Sequence, residues 1–288
     1  MKKILVKIII AGILILIPSF VCYASGPGTT AAEFLKFGIG ARAAAMGEAF
    51  TALADDGTAL YWNPAGLAQI EKTEISAMYN RHFQVINQGY LSLASPLLGG
   101  TTALGVNYVG MGQIQGRDEY GNPTGTFGAS DTHIVVGYAN KFKSISWGLT
   151  AGWLRDKIEQ DTKSSFLGSI GLLYSPNKRL SLGVVAQNIG TKLGNDPLPF
   201  AFKVGVALKL KNFTLTADMP WNIEYYGLGV EWWIGNILAL RAGYKATQTI
   251  TTITGGIGLK FKRTHLDYAY VPYGELGSTH RISLKIKF

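Results

Sequence analysis

Cysteine is almost missing from this chain. Its one thiol, Cys22, lies in the N-terminal leader, so the chain beyond the leader has no disulfide and no cysteine chemistry. Histidine is scarce as well: His82, His133, His265 and His280 stand in no metal or nucleophile spacing, and no serine or carboxylate completes a catalytic set. His265 and Asp267 share one face of a strand pattern, which would suit a base with its orienter but suits an ordinary polar pair better. We therefore expect no enzyme, no metal site and no cofactor. Asp55-Asp56 could be read as a calcium site, yet a helix cap explains the position with less. The 36 glycines match no nucleotide-binding loop and are scattered through strand-like sequence, where they relieve crowding or permit bends. After the leader, no apolar run is long enough for a membrane-crossing helix.

The leader itself has a positive start at Lys2, Lys3 and Lys7, an apolar stretch from Ile8 to Ile17, a break at Pro18, and small residues at Cys22 and Ala24. The apolar stretch is about half of the roughly 20 residues that a span needs. A signal peptide over 1–24, cleaved after Ala24, is the reading this supports. Bulky Phe20 and Val21 argue against a lipoprotein site at Cys22. Cleavage takes the formal charge from +9 to +6. An exported basic chain meets anionic lipid and lipopolysaccharide, and nucleic acid is not an expected partner.

What the rest has in quantity is two-residue alternation, the pattern of strands with two unlike faces. Phe202, Val204, Val206, Leu208 and Leu210 interleave with Lys203, Gly205, Ala207, Lys209 and Lys211; Ile282, Leu284, Ile286 and Phe288 interleave with Arg281, Ser283, Lys285 and Lys287. About fourteen such segments start near residues 73, 88, 101, 130, 144, 164, 180, 199, 213, 223, 237, 252, 264 and 278. Connections after even-numbered segments are tight, such as Gly99-Gly100, Lys143-Ser144 and Lys262-Arg263. Those after most odd-numbered segments are longer and polar: Gly112–Ala129, Asp156–Lys163 and Gly190–Pro199. An even strand count with turns on one side and loops on the other predicts an all-β fold, a transmembrane antiparallel β-barrel. A soluble barrel would also alternate, but lysines line a wet lumen and do not fill a dry core. Trp221, Tyr225, Tyr226, Trp232, Trp233, Tyr268, Tyr270 and Tyr273 lie near strand ends, where an interfacial girdle belongs. Lys203, Lys209, Arg241, Lys260, Lys285 and Lys287 are the lumen-facing bases, and they could favour an anionic solute. Ile282, Leu284, Ile286 and Phe288 have the form of a C-terminal signal for barrel-assembly machinery. The outer membrane is the expected location, with both termini periplasmic.

Residues 25–72 break the pattern and the barrel takes up 73–288. The N-terminal piece is rich in small residues (Gly38, Gly40, Ala41, Ala43, Ala44, Ala45, Gly47) and partly helical, which predicts a plug inside the barrel rather than a periplasmic arm. In DDGTALYWNPAGL, Asp55 or Asp56 is placed to cap a short helix, and Asn63-Pro64 to end it, followed by Ala65 and Gly66.

The run EFLKFGIGARAAAMGEAFTALADDGTALYWNPAGL, Glu33 to Leu67, resembles the start of PorV/PorQ-type proteins, a branch of the FadL-like outer-membrane family. The closing run DYAYVPYGELGSTHRISLKIKF resembles the last hairpin of the same group. The resemblance implies a fourteen-strand plugged barrel in which Asn63, Pro64 and Ala65 form the hatch element. It implies one of two roles: a conduit for hydrophobic or amphipathic molecules, or an accessory that holds secreted proteins in type IX secretion. The modest outer loops favour the conduit.

Overall fold

The computed structural model describes residues 29–82, 85–220, 225–247 and 251–288. The expected signal peptide at 1–24 and Trp221 lie outside them. Alternating sequence becomes fourteen strands. β1 is Glu74–His82, β2 Ile86–Leu97, β3 Gly100–Arg117, β4 Pro123–Phe142, β5 Ile145–Ile158, β6 Asp161–Tyr174 and β7 Leu180–Gly190. β8 is Ala201–Lys209, β9 Phe213–Pro220, β10 Tyr225–Ile234, β11 Leu238–Thr247, β12 Thr251–Phe261, β13 Thr264–Pro272 and β14 Ser278–Lys287. Each strand pairs antiparallel with its neighbours in sequence, and β1 pairs with β14 to close the barrel. Closure leaves no unpaired strand edge, which is the condition for crossing hydrocarbon with strands.

The exterior is greasy throughout: Ile253 is 72% exposed, Phe166 69% and Leu228 53%. Apolar surface that wraps a whole barrel is stable against lipid, not against water. Ile282, Leu284, Ile286 and Phe288 belong to this outward face. The opposite residues of each strand point inward, among them Lys203, Glu231, Arg241, Asp267, Arg281 and Lys285, all buried.

Connections at one end are short, as expected: residues 98–99, 143–144, 175–179, 210–212, 235–237 and 262–263. We call this the turn end. At the other, loop end, two expectations need correction. Most of Gly112–Ala129 is strand, because β3 runs to Arg117 and β4 starts at Pro123; Asp156–Lys163 is a hairpin tip with only residues 159–160 outside the strands. Beyond the lipid, both faces of a strand meet water, so apolar alternation fades while ladder hydrogen bonds continue. Among the described residues, only the 191–200 connection is long. The girdle is corrected too. Tyr226, Trp232 and Tyr270 face outward, but Tyr225 is buried inside and Trp233 lines the lumen. Neighbours on a strand point opposite ways, so Tyr225-Tyr226 and Trp232-Trp233 cannot both lie at the interface.

The segment before β1 touches every one of the fourteen strands. Gly57 accepts from Tyr90 and donates to Glu74; Leu60 lies against Gly105 and Gly137, and Pro64 against Gly148. Asn63 reaches β6 and β7, Thr51 lies against Gly205 of β8, and Asp218 of β9 holds Phe50 and Thr51. Arg42 pairs with Glu231, Glu48 with Lys245, Ala45 with Thr254, Ala44 packs near Ala269, and Ala41 bonds Ser283. A segment in contact with the full ring is inside it.

That segment begins at the loop end, where the Ala31 amide donates to Pro197 of the 191–200 connection at 3.0 Å. It continues through a 3-10 turn at Glu33–Lys36, helix α1 (Ala41–Ala45), helix α2 (Ala59–Trp62) and a 3-10 turn at Pro64–Gln69, then reaches the turn end. There Phe288 donates to Thr73 at 2.9 Å. An even strand count brings the start of β1 and the end of β14 together, but the first described residues lie at the opposite end. The chain ahead of β1 is threaded back through the lumen.

Candidate functional site

Small side chains let this segment approach the wall backbone to backbone. Gly47 has φ +64°, and a Cβ there would meet the carbonyl oxygens of Leu228 and Tyr244. From the wall side, a Cβ at Gly183 would come within 2.6 Å of the Thr51 carbonyl oxygen, and one at Gly229 within 2.6 Å of the Met46 carbonyl oxygen. Any larger residue at these places pushes the segment off the wall.

Asn63 is fully buried and extended, with φ −162° and ψ 108°. Its Oδ1 accepts from Ala65 at 3.1 Å; its Nδ2 donates to the Thr51 carbonyl at 2.9 Å and to Leu172 of β6 at 3.3 Å. Pro64 opens the next 3-10 turn, and a Cβ on Gly66 would strike Ala54, so Asn63-Pro64-Ala65-Gly66 is held as one tight bend against β5 to β7. Of the two acids expected to take up amide hydrogens at the start of the short helix, Asp56 does so and Asp55 does not. Thr58 precedes α2, and no side chain caps it. Asp56 accepts from the Thr58 amide at 3.0 Å in the turn before the helix, and Asp55 is drawn away by cations.

Those cations form a network between segment and wall. Arg42 donates to Asp55 at 2.6 Å and grips Glu231 of β10 with two nitrogens at 2.8 Å each. Glu231 also accepts from Arg241 of β11 at 2.7 Å, and Arg241 continues to Asp267 of β13 at 2.7 Å. Lys209 of β8 reaches Asp55 at 3.1 Å and Lys285 of β14 reaches Asp56 at 3.4 Å. Nearer the loop end, Glu48 pairs with Lys245 at 2.5 Å and with Arg281 at 3.6 Å. Lys203 sits elsewhere, its ammonium 5.6 Å from the Trp62 ring and 5.1 Å from the Tyr225 ring. Arg241, Lys260, Lys285 and Lys287 converge with Trp233 and Asn236 on one cavity of about 280 Å³ at the turn end. His265 is not oriented by Asp267, which is engaged by Arg241; it meets Trp233 edge-on at 6.4 Å.

Charge fixes the protonation of the segment's own acids. Burial alone would raise the Asp55 pKa, but Arg42 and then Lys209 hold it well below the usual carboxylate range. Asp56 and Glu48 are likewise lowered against burial, chiefly by Lys285 and by Lys245. A depressed folded-state pKa contributes docking energy above the free value, 3.8 for Asp55, and loses it as pH falls through the folded value. The reconstituted protein is therefore expected to keep one ionic conductance from pH 7 down past 4 and to loosen only in stronger acid. Opening between pH 5 and 6 would contradict this assignment.

The six bases named from sequence all face inward, but their partners were missed. Glu231, Asp267, Asp218 and Glu74 on the wall, and Arg42 and Glu48 in the segment, carry the contacts. The available signal was parity: Glu231 shares its face with Gly227 and Gly229, at lumen positions where an acid needs a counter-charge.

The architecture is a closed fourteen-strand antiparallel barrel, nearly all-β, which matches the FadL-like outer-membrane barrels. Residues 24–107 match the model of an uncharacterised protein family, UPF0164, and no curated protein matches in sequence. In fold the chain is similar to the toluene transporter TodX of Pseudomonas putida, at 13% identity and a TM-score of 0.65, over 86% of this chain and 96% of that one. It is similar also to the toluene transporter TbuX of Ralstonia pickettii (13%, TM-score 0.62, 87% and 98%). A FadL homologue of Pseudomonas aeruginosa is a third (12%, TM-score 0.59, 86% and 98%).

Proposed function

We propose that this protein is an outer-membrane channel for small hydrophobic or amphipathic molecules, with residues 29–72 as its plug. The observation that carries the reading is at the loop end. There Phe34 and Leu35 of the plug fill an apolar pocket made by Val109, Leu154, Leu167, Leu193 and Leu198. A greasy site next to the outer mouth, filled by the plug's own side chains, is a site a hydrophobic cargo can compete for. The fold shared with two toluene transporters supports the same class of cargo. Displacing Phe34 and Leu35 frees the upper plug, and the bend at Asn63-Pro64 gives it a fixed lower anchor. The outward row Ile282, Leu284, Ile286 and Phe288 is offered to barrel-assembly machinery, and the turn end faces the periplasm.

Toluene or a medium-chain fatty acid should bind the purified barrel. The Phe34→Ala/Leu35→Ala variant should bind it about tenfold more tightly or better, since the ligand no longer displaces two side chains whose burial contributes about 1.5–3 kcal/mol each. Calorimetric titration in detergent measures this, and unchanged or weaker binding by the variant would refute the displacement. The export-accessory role of PorV-like proteins needs an outer docking surface. Only residues 191–200 form a long connection there among the described residues, so we place that role second.

A further inference from the structure

We propose that the cavity of about 280 Å³ at the turn end binds a compact soluble anion carrying a phosphate or two or more carboxylates. Five of its ten lining residues are lysine or arginine, against two aspartates. The cations are not equally committed. Arg42 and Arg241 are locked at 2.6 to 2.8 Å into Asp55, Glu231 and Asp267. Lys285 and Lys287 are held loosely, at 3.4 Å from Asp56 and 3.6 Å from Glu74. Lys260 has no acidic partner among the described residues, and its side chain is exposed. Three ammonium groups with spare donors thus face one space, and the two aspartates of its lining, Asp55 and Asp267, are paired with Arg42 and Arg241.

Structural need does not explain that arrangement. A lysine whose only task is solubility belongs on a turn, as Lys262 does one hairpin position away; Lys260 instead points inward on β12 beside the mouth. The cavity is roughly nine waters in volume at about 30 Å³ each, which a phosphate or a small polycarboxylate fits with part of its hydration. A lipid headgroup does not reach it, because the lining comes from inward-facing positions. Clustered ammonium groups recognise multivalent anions far better than chloride, since each added charge engages another donor. Asn236, on the β10–β11 turn, places the cavity mouth at the turn end. This site stands independently of the apolar pocket at the loop end.

The test is calorimetric titration of the full barrel, in detergent at low salt, with citrate and with inorganic phosphate. Saturable binding is expected, weakened about tenfold or more in Lys260→Ala/Lys287→Ala through loss of two charge-assisted contacts. It should be kept in Lys260→Arg/Lys287→Arg and in Lys262→Ala. Toluene affinity should not change in any of these variants, which separates failure here from failure of the channel reading. Absence of saturable binding to the unaltered barrel, or equal binding by the alanine variant, would overturn the site.

Discussion

Deleting Gly26 to Leu67 should convert a barrier into an open pore. In planar bilayers the intact protein is expected to sit near baseline, and the deletion variant to show discrete, long-lived conductance steps. The reason is geometric. A barrel of this strand number encloses a lumen wider than its own inward side chains can fill, and here the filling is the N-terminal segment, which meets all fourteen strands. The wall is also shaped for it: inward glycines on nine strands, from Gly105 on β3 to Gly256 on β12, would each clash with the segment if given a Cβ. Where the deletion prevents assembly, Gly243→Leu asks the same question in the full chain, since the new side chain occupies the space of Gly47. Conductance unchanged in an assembled barrel, in both variants, would show that the segment closes nothing.

Glu231→Ala is expected to be the most damaging single change to plug docking. Glu231 is 1% exposed and is the shared acceptor of Arg42 and Arg241. Its removal takes one carboxylate from each of two buried guanidinium groups, and breaking a buried pair by taking one partner costs about 3–5 kcal/mol. Arg241 keeps Asp267 and Arg42 keeps Asp55, but Asp55 belongs to the plug itself, so the ion pair lost is the one that ties Arg42 to the wall. Trypsin should then cleave after Lys36, a site that every variant here keeps, in a barrel that otherwise resists it. The double variant Arg42→Met/Glu231→Leu should recover much of that resistance, because no charge is left unpaired. Equal sensitivity in single and double variants would mean that the ion pair is not what holds the plug at this point.

The strand plan is legible because lipid on one side and water on the other impose period two within the membrane. The starts of β7, β9, β13 and β14 fall where alternation places them, at Leu180, Phe213, Thr264 and Ser278. Legibility fails where that contrast ends. Residues 112–117 and 123–129 extend a hairpin above the membrane, and nothing in their polarity distinguishes strand from loop. Tyr225 and Trp233 are misplaced for the opposite reason: a girdle inferred from composition ignores parity, which already puts both inside. The inward bases are readable singly. Their pairing is not, because Arg42 and Glu231 are 189 positions apart and only the closed ring brings them together.

Ring closure also sets an order of events. Ala41 hydrogen-bonds Ser283 across 242 positions, and the amide of the last residue is tied to Thr73. Both contacts need the leading stretch and the final hairpin in place together, and contacts of such span form late and slowly. The seam between first and last strands is therefore expected to shut as the leading stretch docks, which makes sealing and completion of the molecule one step.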